Sequence, residues 1–296
     1  MSIQSLDQYL KNFFQNEKTK LLKNYPGLNL HRLRQDLSLH AFLHGMDSEE
    51  LFDFPYLPSR TNPLTLFFNK LKEGVPLEYI TGYAYFYRSI FKVTKDVLIP
   101  RSETEILVEL ASEEVLKNYK KKKCRVADVG TGTGAIALSL MTYEGVNLDV
   151  VASDISTKAL KLARENYFNQ TFALPKGHTL EFVESDRLKS VQGEFNLILS
   201  NPPYIKKSLD FSTVHEQVAK YEPHIALFLE DELYSAWFEE FFTEIYKKLL
   251  PEGISLIEGH ENHLEELKAM ALTIGFREAH VIRDYTNRNR FLKLKK

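Results

Sequence analysis

A short apolar run, Arg125-Val126-Ala127-Asp128-Val129, enters the turn Gly130-Thr131-Gly132-Thr133-Gly134 and leaves it as the apolar segment Ala135-Ile136-Ala137-Leu138. Strand, glycine turn and helix in direct succession constrain the fold more than any other stretch of this chain. Glycine lets the backbone turn sharply and lets a ligand approach its N–H groups. In an open α/β sheet such a turn belongs at the carboxyl end of a strand, where ligands bind. The next strand, Leu148 to Ser153, ends in Asp154, at the spacing of an acid that accepts ribose hydroxyl hydrogens. Gly130, Gly132 and Ala135 also satisfy the dinucleotide fingerprint, so the loop alone leaves NAD and S-adenosylmethionine both open. Asp128 tilts the choice toward the second, because an acid at that strand end suits an ammonium and repels a pyrophosphate.

Two more strands follow in the same pattern. Thr179 to Val183 runs to Ser185-Asp186, and Asp186 is a candidate acceptor for an adenine amino group. Phe195 to Leu199 is brief and apolar and stops at Asn201-Pro202-Pro203-Tyr204. The prolines have no N–H, fix φ, and hold Asn201 extended, so the corner is stiff. A planar –NH2 group needs two acceptors in its plane and a flat surface on its face. The Asn201 side-chain oxygen, the Pro202 carbonyl and the Tyr204 ring meet that need. Read alone, the same four residues are equally well a proline turn after a core strand. The joint order of strand, glycine loop, strand-Asp, strand-Asp and strand-corner over residues 125–204 is far more specific than any one piece.

Composition sets outer bounds. The 296 residues suffice for one large or two medium domains. A net charge of −2 gives no general attraction to nucleic acid. Cys124 is the sole cysteine, so neither an intramolecular disulfide nor a multi-cysteine zinc site can form, and no metal is expected. The first residues, Met1 to Asp7, lack the charged and apolar regions of a signal peptide, and no apolar run reaches membrane-spanning length. The chain reads as a cytoplasmic monomer.

The remaining stretches divide the chain. Residues 1–82 read as a small helical domain, with Leu6, Tyr9, Leu10 and Phe13 at helical spacing, a helix start at Ser48-Glu49-Glu50-Leu51, and Phe13, Phe14, Phe42, Phe52, Phe54, Tyr56, Phe67 and Phe68 as core. Residues 83–100 read as a linking β-hairpin that runs through Val97-Leu98-Ile99 and is stopped by Pro100. Ser102 to Glu105 has the spacing of a capping box. Arg101, just before it, is placed to brace a cofactor site. Lys120 to Lys123 read as a solvated helix end, and Lys206 to Pro223 as a polar loop. Leu233 to Leu250 is amphipathic. A strand from Ile254 to Ile257 ends in Glu258, a helix runs from Leu264 to Leu272, and a terminal hairpin flanks Asp284 to Asn289.

Taken together, these motifs resemble the HemK-type glutamine methyltransferases of peptide chain release factors. The resemblance runs from about Gly74 to Arg290. It rests on Gly74 to Gly82, Val97-Leu98-Ile99-Pro100-Arg101 with Glu103-Thr104-Glu105, Asp128 through Gly134, Asp154, Ser200 through Ile205, Tyr221-Glu222-Pro223, and Asp284 with Arg290. It implies a class I methyltransferase fold over residues 101–296, Rossmann-like, with a seven-stranded sheet whose last strand is antiparallel. It implies that residues 1–82 recognise substrate and that S-adenosylmethionine is the cofactor. Asp128, Gly130, Thr131, Gly132, Thr133, Gly134, Asp154, Asp186 and Asn201 would bind that cofactor. Asn201, Pro202, Pro203 and Tyr204 would hold and activate the glutamine amide of a class I release factor's Gly-Gly-Gln tip, with no membrane or nucleic acid involved. The chain departs from the family at Ser102 for proline, Arg187 where an aromatic is common, Phe228 to Asp231, Glu258 to Asn262, and Asn287 for glycine.

Four other readings use parts of the same pattern. A ribosomal-protein glutamine methyltransferase would differ mainly in the first domain. A DNA or RNA adenine methyltransferase would share the corner but carry a basic, aromatic target domain. An NAD-dependent oxidoreductase is disfavoured by Asp128 and the corner. A catalytically silent interaction module is disfavoured by intact motifs.

Overall fold

A computed structural model describes residues 4–46 and 50–296, so the helix start expected at Ser48 to Leu51 lies largely outside the described residues. The chain forms two compact units. One comprises Met1–Tyr83 with Val214–Tyr221, the other Ala84–Thr213 with Glu222–Lys296.

In the first unit, helices Leu6–Asn24, Leu30–Leu43 and Pro63–Glu73 start where side chains satisfy free backbone donors. Ser5, Asn29 and Asn62 accept from Gln8, Arg32 and Leu64 N–H respectively. Leu10, Leu33, Leu37 and Phe67 are fully buried among them. Phe42 and Phe54, expected in the core, are 67% and 53% exposed; each stands where an element ends. The helix Glu216–Tyr221, inside a stretch expected to be polar loop, belongs to this unit. Gln217 Nε2 and Tyr221 Oη donate to the carbonyls of Gly74 and Glu73, each at 2.8 Å.

The hairpin Tyr83–Phe86 and Ser89–Lys92, in the second unit from Ala84 on, is turned by Tyr87 at φ 56° and Arg88. The expected strand at Val97 to Ile99 does not form. That segment is irregular with Val97 and Ile99 buried, and the Ile99 N–H donates to Glu222 Oε2 (3.0 Å) rather than to a neighbouring strand. The helix that follows is Ser102–Asn118, with Arg101 at its N-cap and no side-chain cap, so Ser102 lies inside the helix and the capping box is not made. Glu105 accepts instead from the Tyr87 N–H (2.8 Å). The lysines after it are no helix end: Lys121 turns at φ 58° and Lys123 opens a strand.

The seven-stranded sheet comprises β1 (Lys123–Val129), β2 (Asn147–Asp154), β3 (Thr179–Glu184), β4 (Phe195–Ser200), β5 (Leu249–Glu258), β6 (Glu278–Arg283) and β7 (Asn289–Lys295). Their order is β6-β7-β5-β4-β1-β2-β3. Strands β1 to β5 are mutually parallel and β7 runs antiparallel between β5 and β6. The inner segments Val150 to Ala152 and Leu197 to Leu199 are apolar and buried because helices cover both faces, whereas the edge strand β3 keeps Glu181 and Glu184 exposed. Helices Ser102–Asn118 and Ala135–Leu140 pack on one face, and Tyr234–Lys248 and Leu264–Ile274 on the other. Order reverses between β1 and β4, where the carboxyl ends splay and leave a crevice. Val129 pairs with Ser200, which sets Gly130 beside Asn201. This is the doubly wound, Rossmann-like class I methyltransferase sheet.

Candidate functional site

A cavity of about 260 Å³ opens at that crevice, walled by residues 130–133, Asp154 to Ser156, Ser185 to Arg187, Ser200 to Pro203, Arg101, Thr104 and the apolar rings of Trp237 and Phe241. Its two halves are built differently.

The glycine half is braced from close by in the chain. Asp128 is fully buried beneath the loop rather than on the cavity wall. Its Oδ2 accepts from Thr131 Oγ1 (2.6 Å) and the Ala137 N–H (3.2 Å). Its Oδ1 is buried with no hydrogen-bond partner among the described residues. Burial pushes this carboxyl up to about 6 against those two hydrogen bonds. Asp154 lines the cavity with Oδ2 on the Gly132 N–H (2.9 Å) and Oδ1 on the Ser156 N–H (2.8 Å). Burial raises its pKa, opposed by those backbone donors.

Gly130 and Gly132 stand at φ 73° and 56°, which side chains rarely adopt, and a Cβ on Gly130 would meet nothing within 4 Å. The loop thus needs glycine for its backbone and leaves the space over it open. Gly134 is not on the wall. It stands at φ 83° as the N-cap of the helix Ala135–Leu140, and a Cβ there would already touch the Ala163 methyl at 3.4 Å.

The proline half is braced from far along the chain. Asn201 Nδ2 donates to Thr104 Oγ1 (3.0 Å), whose hydroxyl donates to Glu258 Oε2 (2.7 Å). Tyr204 Oη donates to Glu258 Oε1 (3.1 Å). The network takes up the donor end of the Asn201 carboxamide and leaves its oxygen for a ligand donor. Tyr204, expected as a flat wall, is absent from the cavity lining; its ring packs toward the core and burial pushes its phenol up. Glu258 is 1% exposed; burial raises its pKa, opposed by Thr104, by the Arg290 charge and by Tyr204. Arg290 is itself paired with Asp284 (3.4 Å). Arg101 reaches the buried Glu222 at 2.5 Å, which holds the irregular 97–101 segment along the wall.

Asp186 lines the cavity, but its oxygens face Arg187 (3.2 Å) and Lys189 (2.6 Å). Although burial pushes it up, hydrogen bonds from Lys189 and Arg187 hold it below the usual carboxylate range. Arg187 sits at φ 53°, lies 5.2 Å over the Trp237 ring and pairs with Glu240 (2.6 Å). Trp237 thus supplies an aromatic wall that no local motif announces. Thr104 and Glu258 stand in recognisable motifs, yet only the fold reveals that they meet.

These residues fit S-adenosylmethionine. The open glycine loop, the Asp154 carboxylate and the apolar, aromatic wall that includes Trp237 match the amino-acid end, the ribose and the purine in turn. Among the described residues, no cluster of phosphate-binding cations lines the glycine loop.

The methyltransferase small domain family matches residues 104–226. The release factor glutamine methyltransferase of Lactococcus lactis is 34% identical over 255 residues, 86% of this chain and 80% of its own. That of Deinococcus radiodurans is 38% identical over 225 residues, 75% of each chain. That of Flavobacterium psychrophilum is 41% identical over 164 residues, 55% of each.

Proposed function

Because the chain belongs to the family of release factor glutamine methyltransferases, we propose that it transfers a methyl group from S-adenosylmethionine to the side-chain amide nitrogen of the glutamine in the Gly-Gly-Gln motif of a class I release factor. The observation that carries this reading is the oriented Asn201 carboxamide on the cavity wall, whose Nδ2 donates to Thr104 Oγ1 and whose oxygen is thereby the atom free to accept from a ligand.

Residues 130–133 and Asp154 would hold the cofactor, the latter at its ribose, and the cofactor would supply a methyl group already activated on a sulfonium. Asn201 Oδ1 and the Pro202 carbonyl accept the two amide N–H groups of the substrate glutamine. An amide nitrogen is a poor nucleophile because its lone pair is delocalised. Two fixed acceptors orient that nitrogen and stabilise the positive charge it gains. Holding the group in line is most of the remaining task. Glu258 acts through Thr104 and Tyr204 to keep the corner rigid and lies beyond direct reach of the substrate. No general base is required, since the methylated nitrogen loses its extra proton to water after transfer. Asp128, buried beneath the loop, would act on the cofactor through the loop it holds, by way of Thr131 and the Ala137 N–H. The first unit recognises the protein substrate.

The test uses labelled S-adenosylmethionine with a class I release factor and with the same factor carrying alanine for the tip glutamine. Label enters only the unaltered factor. Cofactor binding with equal label in both factors would contradict the glutamine assignment, and failure to bind the cofactor would overturn the reading as a whole.

A further inference from the structure

Three ligand-type side chains meet outside the cavity. His260 and His263 lie in the turn between β5 and the helix Leu264–Ile274, and Asp210 lies in the segment that follows the Asn-Pro-Pro-Tyr corner. None of them lines the cavity. Asp210 is 6% exposed and His260 9%, so this is no solvated surface cluster. His263 Nε2 is 2.9 Å from Asp210 Oδ2, and the two imidazole rings are 4.9 Å apart. One ligand atom from each residue lies within 4.8 Å of the other two. A tetrahedral zinc ion, about 2.0–2.1 Å from nitrogen and oxygen ligands, spaces them about 3.3 Å apart. Shifts of at most about 1.5 Å complete that arrangement.

An independent observation points the same way. The Tyr234 ring packs 5.2 Å from the His263 ring, and its hydroxyl is fully buried without a hydrogen-bond partner among the described residues. A buried hydroxyl left unpaired carries its full desolvation cost. A three-ligand ion keeps an open position for water, and such a water would supply the missing partner. Other polar groups at the cluster are the Lys206 N–H, which donates to Asp210 Oδ2 (2.9 Å), the Asn262 N–H, which donates to His260 Nδ1 at the long distance of 3.3 Å, and the Lys206 ammonium, 4.7 Å over the Tyr234 ring.

We propose that Asp210, His260 and His263 form a binding site for a divalent transition ion of the zinc class. Two imidazoles and one carboxylate favour such an ion over magnesium or calcium, which take oxygen ligands. Binding replaces the hydrogen bond between His263 and Asp210, with the imidazole proton of His263 on Nδ1. The ion ties the segment after the corner to the turn after β5 and so stiffens the proline half of the cavity from outside.

The test is a titration of the full chain, stripped with chelator, by Zn²⁺ in a calorimeter and by Co²⁺ with visible absorption as the readout. One equivalent binds, and the Co²⁺ bands are those of a low-coordinate nitrogen–oxygen site. His260→Asn and His263→Asn each weaken binding by more than about a hundredfold, beyond the loss expected of an outer partner. Imidazole ¹⁵N spectra of the wild-type chain keep the test valid should a variant fail to fold, since two histidines shift on addition of Zn²⁺. Absence of saturable binding, binding that leaves all imidazole signals unmoved, or binding indifferent to both substitutions in folded variants would overturn the site and leave a His–Asp hydrogen bond.

Discussion

The glycine half and the proline half of the cavity are adjacent in space but opposite in construction. Asp128 holds Thr131 and Ala137 at separations of 3 and 9 residues, and Asp154 holds Gly132 at 22. Asn201 is held by Thr104 at a separation of 97, and Thr104 by Glu258 at 154. The first half is made by a strand, a turn and one crossover. The second exists only once β4, β5 and the helix Ser102–Asn118 have assembled. Binding a common cofactor can rest on local structure, whereas aligning a poor nucleophile requires a rigid frame drawn from the whole sheet.

Substitutions separate the halves. Asn201→Ala has the largest expected effect: kcat falls by about 10²–10³, the loss typical of a removed oriented polar group, while cofactor affinity, measured by calorimetry, changes little. Equal losses in both would erase the division.

Next is a pH effect confined to the glycine half. With the Asp128 carboxyl raised to about 6 in the folded chain, the unfolded state ionises first as pH rises. Stability from this group is therefore greatest below about pH 4 and falls by up to about 3 kcal/mol by pH 6, then levels. Melting temperatures of the wild type and Asp128→Asn between pH 4 and 8 check this; the variant gains on the wild type across that interval, and a parallel pair of curves would contradict it.

Thr104→Val leaves Asn201 Nδ2 and Glu258 Oε2 without partners and frees the carboxamide to rotate. The expected loss in kcat is about ten- to a hundredfold, with the cofactor constant retained and Thr104→Ser restoring most of the rate. Last, Gly132→Ala forces a side chain into φ 56°, at a cost of about 1–2 kcal/mol. It weakens cofactor binding about tenfold and leaves kcat at saturating cofactor near wild type.

What the sequence made legible follows the same divide. Residues 125–138 announce strand, turn and helix because each is set by its own neighbours. Asn287, in place of a family glycine, sits at φ 65°, a conformation that Asn tolerates better than most residues. Val97 to Ile99 form a short apolar run rich in β-branched residues, like a strand, but a buried carboxylate from residue 222 captures the backbone there, and local pattern carries no trace of it. Ser102 to Glu105 has capping-box spacing, yet the helix starts at Ser102 and Glu105 is drawn to the hairpin. Tyr204 belongs to the recognised corner, but its hydroxyl is claimed by Glu258, which lies 54 residues away. Contacts of that range depend on which strands become neighbours.

The claim that distant residues act by orienting Asn201 is tested most directly by a double-mutant cycle on kcat with Thr104→Val and Asn201→Ala, at saturating cofactor and release factor. If Thr104 works through Asn201, its substitution adds almost nothing once Asn201 is alanine. Losses that simply add would show that Thr104 acts elsewhere and would contradict the account.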